Sequence, residues 1–216
     1  MTILKKLLTA STVFAVCSTA LIAEGTTKYV PISKGVKSIE MNLNGEQFTL
    51  MRNQKAGNKI NELYNNTTFG VAQPIVLAKG VETLGEQEFI EYMKKAQTDE
   101  SIIIVDSRTP GWHAKLRIPG TINIPYTNFK NKESAIEVME FDLGVSQNKD
   151  GSLNFSEAKT IVAYCNGYWC GQTPAMVKGS EFSLLKMGYP AEKIKYYRGG
   201  MQAWTSLGFT VVGSEK

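Results

Sequence analysis

The chain has 216 residues, 43% hydrophobic and 20% charged, enough for one sizeable core with extra segments. Its formal charge of +4 is spread along the sequence without a basic cluster, which argues against a nucleic-acid partner. With one histidine and three cysteines a zinc cluster is short of ligands, a serine–histidine triad would have to use the lone His113 with no serine placed near it, and no metal or other cofactor is expected.

At the N-terminus, Lys5 and Lys6 precede an apolar stretch over residues 7–22 that ends in small residues before Glu24. That order is the pattern of a secretory leader over residues 1–23, with cleavage after Ala20 or Ala23. The stretch is diluted by Thr and Ser and falls below the roughly 18–20 apolar residues of a spanning helix. Its removal would carry off Cys17, Lys5 and Lys6, leaving two cysteines and a charge of about +2. The expected product is exported, periplasmic in a bacterium, and free of stable membrane insertion.

Residues 24–73 read as an N-terminal extension. SIEMNL at 38–43 alternates polar and apolar, Asn44-Gly45 is a strong hairpin signal, and EQFTLM at 46–51 supplies the partner strand. The polar stretch 52–70 reads as a connection with a short helix near 60–64. From residue 74 to the end, strands and helices alternate. Strands are expected at 75–78, 101–105, 121–124, 159–164 and 194–197. Helices are expected at 85–96, with Phe89, Ile90 and Met93 on one face, at 174–187, closed by Gly188, and at 201–207. The β-branched run at 101–105 suits a strand buried on both faces. The alternation predicts an α/β domain over 74–216, with a central, mostly parallel sheet flanked by helices and a β-hairpin extension ahead of it.

The segment 146–157 matches part of a calcium-loop template, with Gly151 at the turn and Glu157 last. Ser146 stands where Asp is expected and a strand follows Ala158, so a plain turn is the expectation.

The chemistry concentrates in AYCNGYWCGQTP, residues 163–174. Cys165 lies just past a buried strand and just before a helix, and open α/β sheets bind ligands outside the carboxyl ends of their strands. Gly167 and Gly171 let the loop turn tightly and aim its amides inward, while Thr173-Pro174 is a good helix start. Such surroundings favour a thiolate, so a lowered Cys165 pKa is expected.

Three separated motifs carry a family resemblance. IVDSR (104–108) followed by RIPGTINIP (117–125), the six-residue loop Cys165 to Cys170, and GY (188–189) followed by YRGGMQAW (197–204) together resemble the rhodanese-like sulfurtransferase domain. The resemblance implies that Cys165 is a catalytic nucleophile. It would take a sulfane sulfur from a small donor, thiosulfate or polysulfide, and pass it as a persulfide to a thiol, including a protein thiol, or to cyanide. Asn166, Gly167, Tyr168, Trp169, Cys170 and Gly171 would cradle the substrate, with Asp106 and Arg108 as supports. Related phosphatases and arsenate reductases use a loop one residue longer, so this loop has the sulfur-sized form.

The chain also departs from the family pattern. Cys170 replaces the Arg or Lys that often ends the loop, a loss that weakens recognition of a small dianion, and Arg198 would restore the charge if it faced the pocket. Trp112 and Arg117 replace an acidic residue and a histidine. As a second thiol, Cys170 would attack a persulfide on Cys165, shield it from over-oxidation, or form a structural bridge. Two rival readings stay open: a thiol–disulfide redox or sensing module using Cys165 and Cys170, and a binding module that uses the fold to dock a partner.

Overall fold

The computed structural model describes residues 29–65 and 70–215; the leader segment 1–23 lies outside the described residues. The first element is the expected hairpin, β1 (Ser38–Leu43) and β2 (Glu46–Met51), paired antiparallel from Ser38 opposite Met51 to Leu43 opposite Glu46. Asn44 and Gly45 both take positive φ, 51° and 78°, the backbone that a two-residue hairpin turn demands. A single 3-10 turn at Glu62–Tyr64 follows, capped by the Asn61 side chain.

The main sheet has five parallel strands in the order β3 (Glu82–Leu84), β9 (Ile194–Tyr197), β8 (Thr160–Tyr164), β4 (Ile102–Asp106) and β5 (Ile122–Asn123). β4 and β8 run in register from Ile102 opposite Thr160 to Asp106 opposite Tyr164. Alternation along these strands divides the core into two halves. Ile103, Val105, Ile161, Ala163 and Tyr196 face α3 (Lys132–Phe141) and the segment after the cysteine loop. Ile104, Val162, Tyr164 and Tyr197 face α1 (Glu86–Ala96), α5 (Gly200–Ser206) and the hairpin.

The extension is therefore part of the core. Met41, Leu43 and Leu50 are buried against the second half, each contributing about 1.5–3 kcal/mol of burial. The hairpin tip docks on the turn after Arg117. Asn44 Nδ2 donates to the Gly120 carbonyl at 2.6 Å, and Gly120 N–H donates to the Glu46 carboxylate at 2.7 Å. Gly120 has φ 72°, and a Cβ there would lie 2.6 Å from the Leu43 Cβ, so only glycine admits this approach.

Several expectations need correction. Residues 75–78 form no strand: Ile75 and Val76 are 70% and 69% exposed, and Leu77 alone turns inward. The edge strand is the polar β3 instead, which pairs only with β9 and so has no need of an apolar run. The helix expected over 174–187 stops early. It runs as α4, Gln172–Pro174 continuing into the wider π-type turn Ala175–Gly179. Ser180 then leaves in an extended conformation, after a glycine that is a poor helix former. The chain folds back so that Leu184 and Leu185 N–H groups satisfy the Met176 and Val177 carbonyls. Two helices that the sequence pattern left unassigned are α2 (Pro110–Lys115) and α3, whose buried Ala135, Val138 and Met139 have ordinary helical spacing. The calcium-like segment closes as a short antiparallel pair, β6 (Ser146–Gln147) with β7 (Leu153–Asn154), and the Asp150 carboxylate accepts from Ser152 inside the turn.

Candidate active site

Cys165 is the first residue past β8, at the carboxyl end of the sheet. Its loop is held by backbone bonds at both ends. Cys170 N–H donates to the Gly167 carbonyl at 2.9 Å, closing the turn. The first amides of α5 take the other side: Met201 N–H donates to Cys165 O at 3.0 Å and Gln202 N–H to Asn166 O at 2.9 Å, using donors that a helix start leaves unpaired. Gly200 makes this possible, since a Cβ there would meet Cys165 O at 2.3 Å, and its φ of 52° is left-handed.

Beneath the loop is a buried polar network. Asp106 and Arg108, both fully buried, pair through two short bonds, Nε to Oδ1 at 2.8 Å and Nη2 to Oδ2 at 2.6 Å. Asp106 Oδ2 also lies 2.9 Å from His113 Nδ1 and accepts from Tyr164 OH at 3.1 Å. Burial by itself would raise the Asp106 pKa; hydrogen bonds from His113 and Arg108 outweigh it and hold the carboxyl below the ordinary range. Arg108 Nη1 then donates to Tyr64 OH at 2.7 Å and to Asn166 Oδ1 at 3.3 Å, and Tyr64 OH donates to the same Asn166 oxygen at 2.9 Å. Burial pushes Tyr64 up to about 12, so its phenol stays a neutral donor. Asp106 is thus linked to the loop through Arg108, which bonds Asn166. Tyr64 was not expected here. It comes from the extension, and nothing in its polar surroundings at 52–70 marks it.

Both loop cysteines are free thiols, and both are buried, Cys165 at 1% and Cys170 at 2% exposure. Their sulfurs lie within hydrogen-bonding reach of each other, and Cys165 Sγ also lies 3.4 Å from the Cys170 carbonyl oxygen. The backbone N–H and hydroxyl of Thr173 are aimed at Cys165, whereas the backbone N–H groups of Asn166 and Gln172 are aimed at Cys170. The expectation of a depressed Cys165 is therefore reversed in the resting pair. Burial, followed by the hydrogen bond to Cys170, pushes the Cys165 thiol up. The same hydrogen bond, with help from the two amides and Arg108, pulls Cys170 down to about 7. Of the two thiols Cys170 is therefore the more acidic, and Cys165 the less.

Arg198 is hydrogen-bonded at the loop rim. Its Nε and Nη2 donate to the Gln73 carbonyl at 2.9 and 2.7 Å, and its guanidinium lies 5.1 Å from the centre of the Tyr168 ring. Gln73 also donates its N–H to Tyr168 O at 2.7 Å and its Nε2 to Trp169 O at 3.2 Å. One residue of the extension is therefore bonded to the loop rim from three sides, beside the exposed Gly171 and the half-open Tyr168. Sequence reasoning missed Gln73, since a lone glutamine before Pro74 carries no local signal. Losing the two bonds that Gln73→Pro removes, at about 1 kcal/mol each, is expected to speed iodoacetamide alkylation of Cys170 roughly thirtyfold. Peptide mass mapping at fixed pH measures the rate, and an unchanged rate would mean that this strap does not limit access.

Among the described residues no three His, Cys, Asp or Glu side chains converge as a metal set, and no helix is long and apolar enough to cross a membrane. The fold and the site define a class: a parallel α/β domain that holds a short cysteine loop between a strand end and a helix start. The chain belongs to the rhodanese-like domain family, whose sequence profile matches residues 89–207, just over half of its length. It is 26% identical over 133 residues to the thiosulfate:glutathione sulfurtransferase of Saccharomyces cerevisiae, an alignment covering 61% of this chain and 85% of that protein. Among solved structures it is similar to a protein of Bacillus halodurans, at 23% identity and a TM-score of 0.43, covering 62% of this chain and 77% of the other. It is also similar to thiosulfate sulfurtransferase of Pseudomonas aeruginosa, at 17% identity and a TM-score of 0.41, covering 63% of this chain and 21% of the other. The family membership and the yeast relative support a sulfurtransferase-type function.

Proposed function

We propose that the protein is a sulfurtransferase in which Cys165 takes a sulfane sulfur from a donor, thiosulfate or a polysulfide, and passes it to a thiol or cyanide. The observation that carries this reading is Cys165 itself, placed at the end of β8 with Thr173 donors aimed at its sulfur inside a family-length loop.

The resting charge distribution suggests how the nucleophile forms. Cys170, the more acidic partner, loses its proton first, and Cys165 then donates its own proton to the Cys170 thiolate along the existing hydrogen bond. The Cys165 thiolate then attacks the sulfane sulfur, the bond between that sulfur and the rest of the donor breaks, and the donor leaves with the electron pair. The backbone N–H of Thr173 at Cys165 and those of Asn166 and Gln172 at Cys170 favour negative charge on sulfur, the persulfide anion included. Because Cys170 stands where a loop-ending cation would pair with a dianion, a singly charged thiol persulfide suits the cradle better than the thiosulfate dianion.

Mixing reduced protein with each donor and reading intact mass tests the proposal. The expected result is the mass of one added sulfur, mapped to Cys165, with loading that accelerates as pH rises through about 7 and the pair loses its first proton. No added sulfur from any donor would sink it. On the sequence reading of residues 1–23 as an export leader, the reaction runs in the periplasm, and N-terminal sequencing of the exported product checks for cleavage after Ala20 or Ala23.

A further inference from the structure

A buried hydroxyl beside the cysteine pair takes no part in the transfer just described. Tyr196 pairs with Ala163 in the register of β8 and β9, so it leaves the sheet on the face shared by Ala163 and, two residues on, Cys165. It is fully buried, and its hydroxyl has no hydrogen-bond partner among the described residues. Leaving such a donor unsatisfied costs about 1–3 kcal/mol, which an acceptor at the site would recover. The acceptor that the strand register indicates is sulfur bound at Cys165, which follows Ala163 by two residues on the same side; Cys165, Arg198 and Cys170 all contribute to the electrostatic surroundings of Tyr196. Burial raises the Tyr196 pKa, so the group remains a neutral O–H donor. The second observation is Cys170. It is buried with Cys165, its side chain hydrogen-bonded to the Cys165 thiol and its carbonyl oxygen 3.4 Å from Cys165 Sγ.

We propose that Cys170 discharges the persulfide on Cys165, releasing the sulfur as hydrosulfide, with the Tyr196 hydroxyl donating to the departing sulfur. This inference rests on the persulfide reading of Cys165. In the step, the proton that Cys170 took during loading passes to the terminal sulfur, and the Cys170 sulfur attacks Cys165 Sγ. A bond forms between the two cysteine sulfurs, the bond between Cys165 Sγ and the terminal sulfur breaks, and its electron pair leaves with HS⁻. The sulfane sulfur is reduced by two electrons and the cysteine pair is oxidised by two, so charge and protons balance. An external dithiol, of the kind that reduces protein disulfides, then attacks the Cys165–Cys170 bond and returns the pair to its free state. The activity is that of a sulfide-releasing persulfide reductase that consumes thiol persulfides.

The test adds one equivalent of glutathione persulfide to reduced full-length protein with no other thiol present, trapping sulfide with a bimane reagent and reading intact mass. The wild type is expected to release one sulfide per molecule and to lose two hydrogens. Cys170→Ser is expected to load more slowly, keep the added sulfur and release none. Tyr196→Phe is expected to load normally and release sulfide about tenfold to a hundredfold more slowly, the loss of one hydrogen bond to a charged group. A wild type that keeps its added sulfur, or a Cys170→Ser protein that releases sulfide as fast as the wild type, would overturn the inference while leaving Cys165 as the sulfur carrier. If neither protein ever gains sulfur, the persulfide reading fails and takes the inference with it.

Discussion

Cys165→Ser is expected to lower the rate of sulfur transfer to cyanide by at least about a thousandfold, as removal of a covalent nucleophile does. Serine is nearly isosteric, and the loop is held by backbone bonds from Met201 and Gln202 to residues 165 and 166, so the variant should fold and melt like the wild type. The loss is therefore chemical. The hydroxyl is far less acidic than a thiol and cannot hand its proton to Cys170 in the resting pair, so no nucleophile forms. Thiocyanate formation measures the rate. A serine variant that retained activity would move the chemistry to Cys170, whereas a wild type with no activity toward any donor would favour the docking module that the sequence left open.

Arg108→Met is expected to destabilise the fold by about 3–5 kcal/mol, because it leaves the buried Asp106 carboxylate without its guanidinium. In a domain of this size each kcal/mol moves the melting temperature by about 2–4 °C. The same change strips the donors from Tyr64 and Asn166 that fix the loop, so sulfur loading should slow even in the folded fraction. The pH dependence carries a sign. Asp106 has a lower pKa folded than unfolded, so its contribution is present above the ordinary carboxylate range and is lost as pH falls through the folded value. The stability gap between wild type and variant should narrow in acid, which denaturant titrations at two pH values would reveal. A gap that widened in acid would contradict this account of the pair.

Much of the fold is legible in residues alone. The run at 102–106 is β-branched because β4 lies between β8 and β5 with both faces covered, and Asn44-Gly45 declares its hairpin through backbone conformations that few residue pairs adopt. The motif around Gly199-Gly200 is legible as a family signature, and the structure supplies its reason in the contact with Cys165 O. The run at 75–78 misleads because local propensity cannot report whether a neighbouring strand exists. The helix after Pro174 misleads because its end is set by amides of Leu184 and Leu185 returning from beyond the helix.

The sequence by itself determined the fold family, the two cysteines and their spacing, since those depend on periodicity, turn chemistry and motif order along the chain. Tertiary structure decided which of the two thiols is the more acidic. It also joined Tyr64 and Gln73, from the extension, to the underside and the rim of the loop. Those outcomes turn on burial and on hydrogen bonds between residues about 100 positions apart, as in the bond from Tyr64 to Asn166, and such distances leave no local pattern to read.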